Sequence, residues 1–258
     1  MADRLLKILP YADIPEIRRS PVDGETLEAA GLIVNDVRDR GEAAVREHAL
    51  RLGDLGEGDA LVLGPEALEE ALLSLPDADR GVLERTAGRI RTFAQAQLNS
   101  VNSLELPIPG GKAGHDVAPV ERAGCYAPGG RFPLPSSVLM TAITAQVAGV
   151  KVVWVASPRP TKETLAAAAL AKVDGFLCVG GAQAIAAMAY GAGDVPACDV
   201  VVGPGNRWVT AAKQLVSGRV RIDMLAGPSE LVVLADSTAK PGTVAADLLA
   251  QAEHDPDA

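Results

Sequence analysis

Between residues 124 and 216 one short pattern recurs: an apolar run, a turn rich in glycine or proline, then a stretch with helical spacing. The runs lie at 152–156, 176–179 and 200–202, and the helical stretches at 162–171, 182–190 and 207–216. Strands this short and this apolar offer no polar face to water, so they belong in a parallel sheet covered on both sides. Strand and helix in strict alternation specify a doubly wound α/β domain. A further run at 231–235 reads as another strand, leading into a final helix from about residue 242 to residue 254. Hydrophobic residues make up 48% of the chain but aromatics only 3%, so Ala, Val and Leu must fill the core, which suits helices layered on a sheet.

The earlier part is different. Residues 1–20 show no strong periodicity. From Glu25 the spacing of Leu27, Ile33, Val34 and Val37 is helical, Gly41 breaks the run, and a second helix continues through Ala44, Val45 and Ala49. Residues 61–63 read as a short strand, and Pro65 opens another helix at the first position, which proline favours. A long exposed helix is expected from Asp77 to about residue 96. Residues 104–120 alternate around Gly110-Gly111, as a hairpin does.

The net charge of −9 argues against a nucleic-acid surface. The N-terminus lacks the apolar region of a signal peptide, and no apolar stretch is long enough to span a bilayer. Cys125, Cys178 and Cys198 form an odd set without metal-type spacing, which fits a reducing, cytoplasmic setting.

Five short segments can carry chemistry. Tyr126-Ala127-Pro128-Gly129-Gly130 follows one strand, and Ser136 or Ser137 beyond it can cap the next helix. Gly180-Gly181-Ala182-Gln183 sets a glycine turn and an amide at a helix start, on the sheet edge where open α/β folds bind ligands. Gly203-Pro204-Gly205-Asn206 begins like a dinucleotide fingerprint, but Trp208 stands where its third glycine belongs. Ala226-Gly227-Pro228-Ser229-Glu230 is a turn with one hydroxyl and one carboxylate. Gln251-Ala252-Glu253-His254 sets an amide and an imidazole on one helix face, where both can converge on an ion. Each also reads as an ordinary turn or polar helix end. His48 and His115 read as a helix-surface residue and a hairpin residue.

In these five segments, and in their order, the sequence resembles the histidinol dehydrogenase family. The resemblance extends through Ile185-Ala186-Ala187 and Asp255-Pro256-Asp257 and covers essentially all 258 residues, though residues before about 120 are only generically similar. It implies an NAD-dependent, zinc-containing homodimer, with one zinc per subunit, that oxidises L-histidinol through the aldehyde to L-histidine. It places Tyr126, Gln183 and Asn206 at NAD-contacting positions and Ser229 at a substrate-contacting one. Gln251 and His254 fall at zinc-ligand positions beside the substrate. It implies two Rossmann-like doubly wound domains, the second inserted into the first: a lead-in at 1–20, the first domain at 21–125, the inserted NAD-binding domain at 126–228, and a return to the first at 229–258.

Two departures stand out. Asp255 occupies a position where the family usually has glycine, directly after the zinc-ligand histidine. The family's other zinc ligands, and the Glu-His pair that performs its acid–base chemistry, are expected beyond Ala258. The first domain is therefore expected to be incomplete at its C-terminal end, and no catalytic acid or base is assignable here. Two alternatives stand beside this reading: a related zinc and NAD dehydrogenase for another small alcohol such as a sulfonated diol, or an inactive or split fragment that binds nucleotide or a complementary chain.

Overall fold

Helix boundaries in the first half follow local chemistry. In a computed structural model that describes residue 10 and residues 22–129, 133–225 and 231–254, Asp23 caps α1 (Gly24–Arg40) by accepting from the Thr26 amide at 2.8 Å. Gly41 separates α1 from α2 (Glu42–Leu52) in a left-handed conformation that other residues avoid. After β1 (Val62–Leu63), Pro65 supplies the first turn of α3 (Pro65–Leu73), as the sequence predicts. The long helix α4 (Asp77–Leu98) and the hairpin of β2 (Leu104–Ile108) and β3 (Gly111–His115) also follow the predicted order.

The alternation then unfolds as β4 (Arg122–Tyr126), α5 (Pro135–Val147), β5 (Val152–Ala156), α6 (Lys162–Leu170), β6 (Gly175–Leu177), α7 (Gly181–Tyr190), β7 (Val200–Val202), α8 (Arg207–Val216) and β8 (Arg221–Ile222). These strands form one sheet with the order β1-β6-β5-β4-β7-β8, parallel except for the edge strand β1. The chain steps outward from β4 through β5 to β6, then returns to the other side of β4 to lay down β7 and β8. That reversal makes the β4/β7 boundary a topological switch point. It also sorts the helices: α3, α4, α5 and α6 pack together, while α1, α2, α7 and α8 pack together.

The core matches the composition. Ala166, Ala167, Ala168, Ala184, Ala186, Ala187, Ala211 and Ala212 are fully buried, and small side chains let helices approach the sheet closely. Helix α7 is buried along almost its whole length, as expected for a helix apolar on all sides.

Several expectations need correction. Residues 231–235 are not a strand. They have no ladder hydrogen bonds, with Val232 and Leu234 almost fully exposed, because no described strand lies alongside to pair with them. The final helix α9 (Pro241–His254) does form, and it exposes Leu248 and Leu249. Strand β6 ends at Leu177, two residues short of the predicted run, and the two-residue β8 carried too little pattern to be foreseen. Ser136 and Ser137 do not cap α5: Pro135 opens that helix, and Leu134 precedes it. His48 is buried rather than on a helix surface. Apart from these corrections, the doubly wound sheet of the described residues carries β1 at its edge, and its strand β4 runs across residue 125.

Candidate functional site

The carboxyl ends of β4, β5, β6 and β7 open into one cleft of about 840 Å³, within the size range of small-molecule sites. Tyr126, Pro128 and Gly129 line it after β4, and Pro158 and Arg159 after β5. Gly180, Gly181 and Gln183 line it after β6, and Asn206 and Trp208 after β7. The facing wall comes from α1 and α2 and includes Asp36, His48, Arg51 and Asp54.

The loops are held by the groups they expose. Gly203 has a φ of 122°, and a Cβ there would collide with the Tyr126 carbonyl, so only glycine lets the two switch-point strands approach this closely. Its N–H donates to Asp223 Oδ2 at 2.8 Å, and its carbonyl accepts from Lys213 Nζ at 3.0 Å. Lys213 is buried and ion-paired with Asp223. A buried ion pair therefore pins both polar groups of the first residue in the Gly203-Pro204-Gly205-Asn206 loop.

Asn206 is the N-cap of α8. Its Oδ1 accepts from the Trp208 and Val209 amides at 3.1 and 3.2 Å, which leaves its side-chain amine as the group to offer a ligand. Tyr126 is buried, and its hydroxyl oxygen accepts from the Gly181 amide at 3.2 Å. Burial pushes the phenol up to about 12, so the hydroxyl keeps its proton and can donate.

Gln183 is only 1% exposed. Its Nε2 donates to Asp54 Oδ2 at 3.0 Å, and the same oxygen accepts from the Gly180 amide at 2.9 Å. Gln183 Oε1 is buried without a hydrogen-bond partner. Buried acceptors are rarely left unpaired, and here the unpaired one belongs to a residue that lines the cleft.

On the opposite wall, Arg51 Nη2 donates to His48 Nδ1 at 2.8 Å. The ring proton therefore sits on Nε2, 2.8 Å from Asp36 Oδ2. Arg40 binds Asp36 through two hydrogen bonds of 2.6 Å and, with His48 adding to the effect, draws the Asp36 carboxyl down to about 2.

Tyr126, Gln183 and Asn206 thus meet in one cleft. Ser229 lies outside the described residues, as do Gly130 and Asp255. Gln251 and His254 lie one turn apart on α9, which among the described residues has no substantial packing against the sheet domain; Gln251 is half-buried, and the His254 side chain is outside the described set. Among the described residues no three His, Cys, Asp or Glu side chains converge as a metal site requires. Two neutral donors on one helix do not by themselves satisfy zinc, which takes three or four protein ligands and favours anionic ones among them.

Sequence reasoning missed Asp54, Pro158 and the α1–α2 wall. Their distance along the chain from the glycine loops hid them, and only the fold brings them together. Trp208 was noticed solely as a mismatch to the fingerprint, yet it lines the cleft, with the Arg207 guanidinium 5.6 Å from its ring centre.

Comparison with known proteins bears on this arrangement. The sequence profile described as histidinol dehydrogenase matches residues 17–258. The chain is 50% identical over 230 residues to a histidinol dehydrogenase of Natronomonas pharaonis, covering 88% of this chain and 53% of that protein. It is 47% identical over 237 residues to one from Ralstonia nicotianae, again covering 88% and 53%. The crystal structure of histidinol dehydrogenase from Elizabethkingia anophelis superimposes with a TM-score of 0.80 at 32% identity, over 92% of this chain and 55% of that one. The chain therefore spans about half the length of the curated relatives it matches. By sequence and by fold, it belongs to the histidinol dehydrogenase family.

Proposed function

We propose that this chain is the nucleotide-binding part of an enzyme that oxidises L-histidinol through the aldehyde to L-histidine with NAD. The observation that carries the reading is convergence: Tyr126, Gln183 and Asn206, far apart in sequence, line one cleft at the switch point of a doubly wound sheet. The cleft-lining residues supply a phenol and an amide amine as donors and, in the buried and unpaired Gln183 Oε1, an acceptor, a set suited to the hydroxyl, amide and phosphate groups of a dinucleotide. NAD supplies the hydride acceptor, and the chain's own part is to bind and orient it.

On the same reading, Ser229 contacts substrate, and Gln251 and His254 contribute two zinc ligands that anchor it. The remaining ligands and the acid–base pair come from outside these 258 residues, and the working enzyme is a cytoplasmic homodimer. The proposed division assigns 21–125 and 229–258 to one unit and 126–228 to the other. The exposed apolar side chains of 231–234 and α9 suit a segment that packs against further chain.

The test is NADH formation from L-histidinol with zinc present, by this chain alone and by this chain complemented with the C-terminal half of a relative. Turnover is expected only on complementation. Equal turnover by the chain alone would overturn the assignment of acid–base chemistry to the complementary half. Absence of turnover in the complemented protein, with both pieces folded and associated, would count against L-histidinol as substrate.

A further inference from the structure

Asp54 stands at the end of α2, a position set by the backbone. Gly53 takes the left-handed conformation that closes a helix, and the Asp54 amide donates back to the Ala49 carbonyl at 2.8 Å. From there Asp54 Oδ2 accepts from the Gly180 amide and from Gln183 Nε2, across more than a hundred residues of sequence. A carboxylate only accepts, so it selects one of the two orientations open to the Gln183 amide. The amine must face Asp54, and the carbonyl oxygen must face away. That oxygen is the buried, unpaired acceptor beneath Gly181, where a Cβ would come within 3.0 Å of it.

We propose that Asp54 is a positioning residue that locks the Gln183 amide so that the cleft meets its ligand with an acceptor. The ligand group it receives is a donor, a hydroxyl or amine of the dinucleotide. The inference rests on the nucleotide reading of the cleft. Without Asp54 the amide is free to flip, and half of its orientations present a donor to a donor. Asp54 also ties α2 to the start of α7, so a purely structural role must be separated from this one.

The experiment is calorimetric titration of NAD into the unaltered chain, Asp54→Ala, Gln183→Ala and the double variant, with folding checked by circular dichroism. Asp54→Ala is expected to weaken NAD binding about tenfold, the scale of a charge-assisted hydrogen bond. In the Gln183→Ala background the same change is expected to cost less than about twofold, because Asp54 acts through Gln183. Equal losses in both backgrounds would overturn the proposal.

If Asp54→Ala does not fold, Gln183→Glu tests the same contact by setting two carboxylates against each other. NAD affinity is expected to fall by more than about tenfold and to recover when Asp54→Asn is added. Unchanged affinity in Gln183→Glu, or a loss that Asp54→Asn does not reverse, would overturn the proposal. Failure of the unaltered chain to bind NAD would overturn the nucleotide reading itself, and that outcome needs no variant to detect.

Discussion

The cleft at the sheet edge and the segment from residue 231 to 254 are built to different degrees. Around the cleft, loop polar groups are tied to named partners: Gly203 to Lys213 and Asp223, Gly180 to Asp54, Gly181 to Tyr126. In the later segment Leu231, Val232, Leu234, Leu248 and Leu249 are exposed, and among the described residues α9 has no substantial packing against the sheet domain. The proposed function puts cofactor contacts in the first region and zinc contacts in the second. On that proposal, the difference teaches that the nucleotide half of the site is preorganised within this chain, whereas the metal half depends on groups that α9 does not itself bring together.

A pair of substitutions, one in the core and one on the exposed face of α9, challenges that contrast most strongly. Ile185→Ala, at a fully buried position on α7, is expected to cost roughly 3 kcal/mol of unfolding free energy. Leu249→Ala on α9 is expected to change stability by less than about 0.5 kcal/mol. Denaturant titration of both checks the pair, and comparable losses would break the comparison.

Lys213→Met strands Asp223 and removes the donor to the Gly203 carbonyl. Since Asp223 keeps some solvent contact, the expected loss is about 3 kcal/mol, at the low end for breaking a buried pair. NAD affinity is expected to fall with it, because the loop carrying Asn206 loses its anchor. Urea unfolding and NAD titration on the same sample would show whether the two effects travel together.

Alkaline pH gives a smaller effect that sharpens the picture. Burial raises the Cys125, Cys178 and Cys198 thiols and the Tyr126 phenol, each to about 12, from ordinary values near 9 and 10. All four are neutral in the fold and ionise more readily once unfolded. Stability is therefore fully present below about pH 9 and is lost progressively as pH rises toward 12. Melting temperature followed from neutral to alkaline pH should fall across that window.

The smallest effect concerns Asp36, whose carboxyl is drawn down to about 2 chiefly by Arg40. Its contribution is present above the ordinary carboxylate value of 3.8 and is lost as pH falls toward 2. Asp36→Asn is expected to flatten that part of the acid limb slightly, as a melting series from pH 5 to about pH 2 would show.

Much of the fold was legible in the sequence because the strands are short, apolar and separated by glycine. The runs at 152–156 and 200–202 form strands with the predicted limits, and 207–216 forms the predicted helix. The run at 231–235 looks the same by composition but is not a strand, since pairing depends on a neighbour that composition does not reveal. Site residues on glycine loops were legible because the turn chemistry marks them. Asp54 and His48 were not, because nothing local distinguishes a carboxylate at a helix end, or a histidine on a helix, from a solvated one. Only the packing of α1 and α2 against α7 brings those side chains to the cleft.

The most direct test of the preorganised nucleotide half is amide NMR of the chain titrated with NAD. Shift changes are expected at Tyr126, at 180–184 and at 206–208, with residues 241–252 unmoved. Changes centred on α9, or none at the switch point, would contradict it.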